Sequence, residues 1–189
     1  MSKSKNKFNM GFTLVESLVS ISILSLSIAA TFTAVQVGLK SSIYAKDEVT
    51  AFYLTQEAME FIKNTRDTNA LYSLNGTVTN WLTGLVVTSG GASGPCDYSK
   101  VCTIDSQQNL ITNCSSGTGT CPVLNRNTST GAYSYATGAN QVATTYRREI
   151  KLATVANNTN EVLVTITTSW MSGAASRSFQ ITQSLYNKQ

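Results

Sequence analysis

Glu16 is the only charged residue between Phe12 and Leu39. A carboxylate within a bilayer-length apolar helix costs roughly 2.5–3.5 kcal/mol on insertion scales, so it marks a function by default. The second chemically distinctive set is Cys96, Cys102, Cys114 and Cys121. No Cys-x-x-Cys pair occurs among them, which makes zinc a poor fit, and an even number of cysteines in an exported domain reads as two disulfides. Three connectivities are open. The shorter loops, Cys96–Cys102 and Cys114–Cys121, are weakly favoured because closure entropy rises with loop length.

The other reactive side chains do not converge on a catalytic set. The chain has no histidine, which removes imidazole acid–base chemistry and His metal ligation. Asp97 and Asp105 stand near glycines without the dense acidic spacing of a calcium loop. Serines and threonines are plentiful, but no glycine-framed nucleophile elbow accompanies them. Arg147 and Arg148 form a basic doublet, yet strand alternation sends neighbours to opposite faces, so they read as solvated or paired sheet arginines and not as a nucleic-acid patch. The formal charge of +4 leads no further: without Lys3, Lys5 and Lys7, eleven basic residues face ten acidic ones. The expectation is a protein that is not an enzyme, with no metal and no cofactor.

The elements that must position Glu16 begin with a short polar leader carrying those three lysines. The run from Leu18 to Val37 is uncharged and continues through Gly38. At 1.5 Å per residue it crosses the roughly 30 Å of bilayer hydrocarbon. The positive-inside rule keeps the leader cytoplasmic and sends the chain beyond about Gly38 outward. An ordinary signal peptide cut before Ala30, after Ser27-Ile28-Ala29, and a plain membrane anchor are the alternatives. The first would place Glu16 inside its apolar core, and the second leaves Glu16 unexplained. Ser20, Ser27, Thr31, Ala34 and Gly38 fall within about 60° on a helical wheel. That stripe reads either as a packing seam or as hydroxyls bonding back to their own helix.

Ala51, Leu54, Ala58, Phe61 and Ile62 then recur at helical spacing, with Glu57, Glu60, Lys63 and Arg66 on other faces. One helix from about Thr13 to about Arg66 would be roughly 80 Å long. Residues 71–143 are turn-rich, with Trp81 to Thr88 as a short strand or helix. Alternation resumes at Tyr146, Arg148, Ile150 and Leu152, then at Val162, Val164, Ile166 and Trp170, then at Phe179 and Ile181, which predicts a three-stranded antiparallel meander. A helix stripe packed on a sheet face gives an α+β class.

Gly11-Phe12-Thr13-Leu14-Val15-Glu16, with the basic leader before it and the apolar run after it, resembles the prepilin signal of type IV pilins and pseudopilins. The resemblance implies cleavage by a prepilin peptidase between Gly11 and Phe12 and N-methylation of Phe12. It also implies an assembly role for Glu16, pairing in lipid with the Phe12 amino group of an adjacent subunit; the alternative is that Glu16 merely faces its own helix N-terminus, a favourable dipole position. Weaker matches at Glu57 to Asn69, at Tyr146-Arg147-Arg148-Glu149-Ile150 and at Val162 to Trp170 resemble a minor subunit of the PilV kind or a type II secretion I-pseudopilin. Many major pilins carry a mid-membrane proline, which this chain lacks.

The implied organisation is a leader (1–11), a transmembrane and assembly helix (12–38), an amphipathic half of the same helix (39–70), a disulfide-bearing loop region (71–143) and a three-stranded sheet (144–187), in a pilin-like lollipop. The implied partners are the prepilin peptidase, other pilin or pseudopilin subunits, an inner-membrane assembly platform, and membrane lipid before assembly. The implied location is the inner membrane, then an extracytoplasmic filament. A secreted or anchored binding or adhesion protein is the alternative function.

Overall fold

A computed structural model of the chain describes residues 12–77, 80–114 and 117–188. They form one long α-helix followed by an antiparallel β-sheet, an α+β layout. Two compact units divide the chain, Met1–Ala45 and Lys46–Gln189.

Helix α1 (Leu14–Leu74) runs for 61 residues and begins in the first unit. Thr13 caps it: the Glu16 N–H donates to Thr13 Oγ1 at 3.2 Å, satisfying a donor that has no intrahelical acceptor. In this unit the leucine, isoleucine and valine side chains of α1 are exposed. The helix is long and apolar enough to cross a membrane. Its hydroxyls turn inward to the backbone. Ser22 donates to the Leu18 carbonyl (2.8 Å), Ser27 to Ile23 (2.8 Å), Thr31 to Ser27 (2.7 Å) and Thr33 to Ala29 (2.9 Å). Two members of the small-residue stripe, Ser27 and Thr31, thus satisfy their polar groups within one helix, without a neighbour.

The second unit begins within α1, where one face becomes buried. Ala51, Leu54, Thr55, Ala58, Met59 and Ile62 lie against the sheet side, and burial continues through Arg66, Asn69 and Ala70. That continuation explains why the helix outruns the expected end near Arg66. It stops at a glycine cap: Gly76 (φ +81°) sends its N–H to the Ser73 carbonyl, and Thr77 reaches the Tyr72 carbonyl at 3.0 Å. This pair of bonds is the Schellman arrangement, which a left-handed glycine makes accessible.

The sheet contains strands β1 (Val101–Asp105), β2 (Leu110–Cys114), β3 (Val123–Asn127), β4 (Tyr133–Ser134), β5 (Gln141–Val155), β6 (Asn158–Ser172) and β7 (Ala175–Tyr186). The expected meander corresponds to β5, β6 and β7. Its two-residue turns are Ala156-Asn157, with Asn157 at φ +60°, and Gly173-Ala174, with Gly173 at φ +64°, the sign that tight hairpins require. The sheet is larger than that meander, because residues 71–143 contribute four strands. One edge of β5 pairs with β6 over most of its length. Its other edge takes β3 near Arg147 (Val123↔Arg147) and β1 further on (Cys102↔Ile150). A single 15-residue strand therefore holds two shorter ones end to end.

Tyr146, Arg148, Ile150 and Leu152 on β5 and Val162, Val164, Ile166, Thr168 and Trp170 on β6 are buried. Ala58, Met59 and Ile62 of α1 join Ile150, Leu152, Val162, Val164 and Ile166 in the main core, together with Trp81, Leu82, Leu85 and Val86. Each such large aliphatic or aromatic side chain stabilises the fold by about 1.5–3 kcal/mol when fully buried. Trp81 to Thr88 forms turns and isolated bridges in place of a regular strand or helix. Asn69 anchors this lobe by donating to the carbonyls of Trp81 (3.1 Å) and Thr83 (2.9 Å). Gly94 lies so close to it that a Cβ there would stand 2.4 Å from the Leu85 carbonyl oxygen.

Candidate functional site

Gly11 and the leader lie outside the described residues. Phe12 is 72% exposed, and Glu16 stands exposed in the first turn of α1 among exposed Leu14, Val15, Leu18 and Val19. Thr13-x-x-Glu16 is a capping-box sequence, a signal readable in the chain and absent from the expectations above. The first turn of a helix carries partial positive charge from its free N–H groups, which favours a carboxylate there. The arrangement is a carboxyl group in the first helical turn, surrounded by exposed apolar side chains.

The cysteines pair as Cys96–Cys102 and Cys114–Cys121, with Cα–Cα separations of 5.1 and 4.9 Å. Cys102 lies on β1 and Cys114 on β2, so the disulfides pin opposite strands of one hairpin to the loops on either side. All four side chains are buried. Asp97 accepts hydrogen bonds from Ser93 Oγ (2.6 Å) and the Tyr98 N–H (2.6 Å). The Ser93 bond, with the Tyr98 N–H second, holds its carboxyl below the usual range. Asp105 accepts from the N–H groups of Gln107 and Gln108 and from that of Tyr135 at 2.7 Å. Both acids thus organise loops. Among the described residues, no group of three or more His, Cys, Asp or Glu side chains is placed to hold a metal ion.

The arginine doublet separates by face. Arg147 donates to the Gly119 carbonyl, whereas Arg148 points into the core with 1% of its side chain exposed. Arg148 Nη1 donates to the Leu54 carbonyl (2.7 Å) and to Glu57 Oε2 (3.1 Å), and Nη2 donates to the Ile104 carbonyl. Glu57 also accepts from Ser106. Beside this clamp, Thr55 Oγ1 meets Thr168 Oγ1 at 2.8 Å. One cation thereby ties α1, β1 and β5 together. Strand alternation separated the two arginines correctly, but the depth of Arg148 depended on a helix partner that no local pattern names.

Tyr146 completes the helix–sheet contact, its hydroxyl donating to Asp47 Oδ1 at 3.2 Å. Burial, with the Asp47 carboxylate adding to it, pushes the phenol up to about 12, against a partly opposing hydrogen bond from Thr50. A groove of about 490 Å3 opens nearby between α1 and the β3–β4 hairpin. No family model, curated protein or solved structure matches the chain.

Proposed function

We propose that this chain is a minor type IV pilin-like or pseudopilin subunit, a structural component of an extracytoplasmic filament. The observation that carries the reading is the order of parts at its start. A trilysine leader, the Gly11–Phe12 junction, Glu16 in the first helical turn and an uncharged helix with its apolar side chains exposed follow one another. A helix that leaves its apolar surface uncovered needs lipid or other helices around it, and a subunit that passes from membrane to filament uses both. The α+β layout of helix and antiparallel sheet is compatible with a pilin-like lollipop of stalk and head.

On this reading the peptidase cuts after Gly11 and the new Phe12 amino group is methylated. Glu16 of an incoming subunit then pairs with the Phe12 ammonium of its neighbour. Either charge alone is costly in hydrocarbon, so the pair favours the assembled state. The precursor spans the inner membrane with its leader cytoplasmic, and an assembly platform draws it into the filament.

Mass spectrometry of the mature N-terminus tests the proposal. N-methylated Phe12 is the expected result. A chain starting at Ala30 would instead identify a secreted binding protein with an ordinary signal peptide, and an uncut Met1 would identify a simple anchor.

A further inference from the structure

The groove beside α1 brings together groups that the proposed assembly role does not use. Tyr53 and Leu54 of α1 and Tyr133 of β4 line its walls, while Lys46 and Arg126 contribute a cation from either side. Glu57 is the one carboxylate in the lining, and it is already engaged by Arg148 and Ser106. Asp47 is turned to the Tyr146 hydroxyl, and Glu48 does not line the groove. Among the described residues neither Lys46 nor Arg126 makes an ion pair. The volume suits a small ligand or a headgroup.

Two uncommitted cations select an anion, and arginine in particular favours the forked oxygens of a phosphate. Tyrosines, apolar in body and polar at the tip, settle at membrane–water interfaces. Chain connectivity supplies the source. The uncharged run of α1 ends at Leu39, and even a fully extended chain keeps Lys46 within about 25 Å of it. Lipid holding that run is thereby kept within that chain length of Lys46.

We propose that this groove binds the phosphate of an anionic phospholipid headgroup while the first part of α1 lies in a bilayer. The inference rests on the membrane reading of that segment. Juxtamembrane Lys and Arg are attracted to anionic lipid surfaces, an attraction that added salt weakens.

Hydrogen exchange of the full chain in lipid nanodiscs tests it. Discs of equal parts phosphatidylglycerol and phosphatidylcholine are expected to slow exchange across residues 126–133 by about threefold or more relative to pure phosphatidylcholine discs. The Lys46→Gln/Arg126→Gln double variant should abolish that difference, and Lys46→Arg/Arg126→Lys should retain it. Equal exchange in the two discs, or slowing that survives the double Gln variant, overturns the proposal. Slowing reproduced by inorganic phosphate added to pure phosphatidylcholine discs assigns the site to a free anion and overturns the lipid source. A chain that stays in neither disc overturns the membrane reading as well, whereas a chain that stays in both without a lipid effect overturns only this inference.

Discussion

Arg148 Nη1 on β5 lies 3.1 Å from Glu57 Oε2 on α1, with 1% of the arginine side chain and 31% of the glutamate side chain exposed. The arginine also serves the Leu54 and Ile104 carbonyls, so its removal takes a donor from three acceptors at once. Arg148→Met is expected to lower stability by about 3–5 kcal/mol, the range for breaking a buried pair. Arg148→Met/Glu57→Leu should recover part of that loss, because it removes the unpaired acid. Urea unfolding followed by the fluorescence of Trp81 and Trp170 measures both.

Tyr146 sets an alkaline limit on that same contact. Its phenol is raised from 10.0 to about 12, chiefly by burial, so the folded state holds the proton more tightly than the unfolded chain does. The resulting stability is fully present below about pH 10 and is lost as pH rises through about 12. Tyr146→Phe should flatten this part of the profile, as read from urea midpoints between neutral and strongly alkaline pH.

The two disulfides close loops with sequence separations of 6 and 7. Loop-closure entropy assigns each about 2.4 kcal/mol. Cys96→Ser/Cys102→Ser and Cys114→Ser/Cys121→Ser are expected to reduce stability by about that amount each. Their effects should fall short of additivity, since both bridges brace the β1–β2 hairpin and Cys121 Sγ lies 3.9 Å from the Cys102 carbonyl oxygen. Thermal or urea unfolding of the single-bridge variants against the parent chain is the check.

Gly94 tolerates no side chain. A Cβ would stand 2.4 Å from the Leu85 carbonyl oxygen and 2.7 Å from the Val86 carbonyl carbon, so backbone would have to move. Gly94→Ala should destabilise by about 1–3 kcal/mol, the usual penalty for overpacking. Gly91→Ala, with open space around its Cβ position but a φ of +79°, should lose only about 1 kcal/mol through backbone strain. Comparing the two by denaturation separates crowding from strain.

On the proposed pilin-like function, Glu16→Gln and Glu16→Leu are expected to leave cleavage after Gly11 intact while reducing filament incorporation by about tenfold or more. A lost interaction of about 1.4 kcal/mol already gives that factor. Quantifying processed and sheared-filament fractions by immunoblot reads the two steps separately. Normal incorporation of both variants would remove Glu16 from assembly.

The elements most legible in the sequence were those that bury one face and expose the other. Alternation exposed β5 and β6, and the stripe of Ala51, Leu54, Ala58 and Ile62 exposed the buried side of α1. Phe61, counted in that stripe, is only partly buried. Strands β1 to β4 are five residues or fewer, too short to show a clear period. β1 is buried at all five residues, so it shows no alternation at all. β1 and β3 also pair with β5, distant in the chain, which local pattern cannot report. Phe12 entered only through the resemblance of Gly11-Phe12 to a prepilin junction, whereas Glu16 and the cysteines stood out by type. Arg148 and the groove cations did not, since their environment is assembled from α1, β1, β3 and β5 together.

The branching of β5 also sets a timetable for maturation. Every residue of β1 and β3 is synthesised before the strand edge on which both will rest. Backbone pairing on that edge must therefore wait until residues from Gln141 onward have emerged. Thiol oxidation is not bound by that delay, because each cysteine meets its partner within a few residues and short loops close readily. The covalent bonds of the middle region can be in place before β5 exists. Cystine pairing can then draw on chain proximity and the local β1–β2 hairpin, and the late-arriving C-terminal strands receive a segment already limited in the shapes it can take.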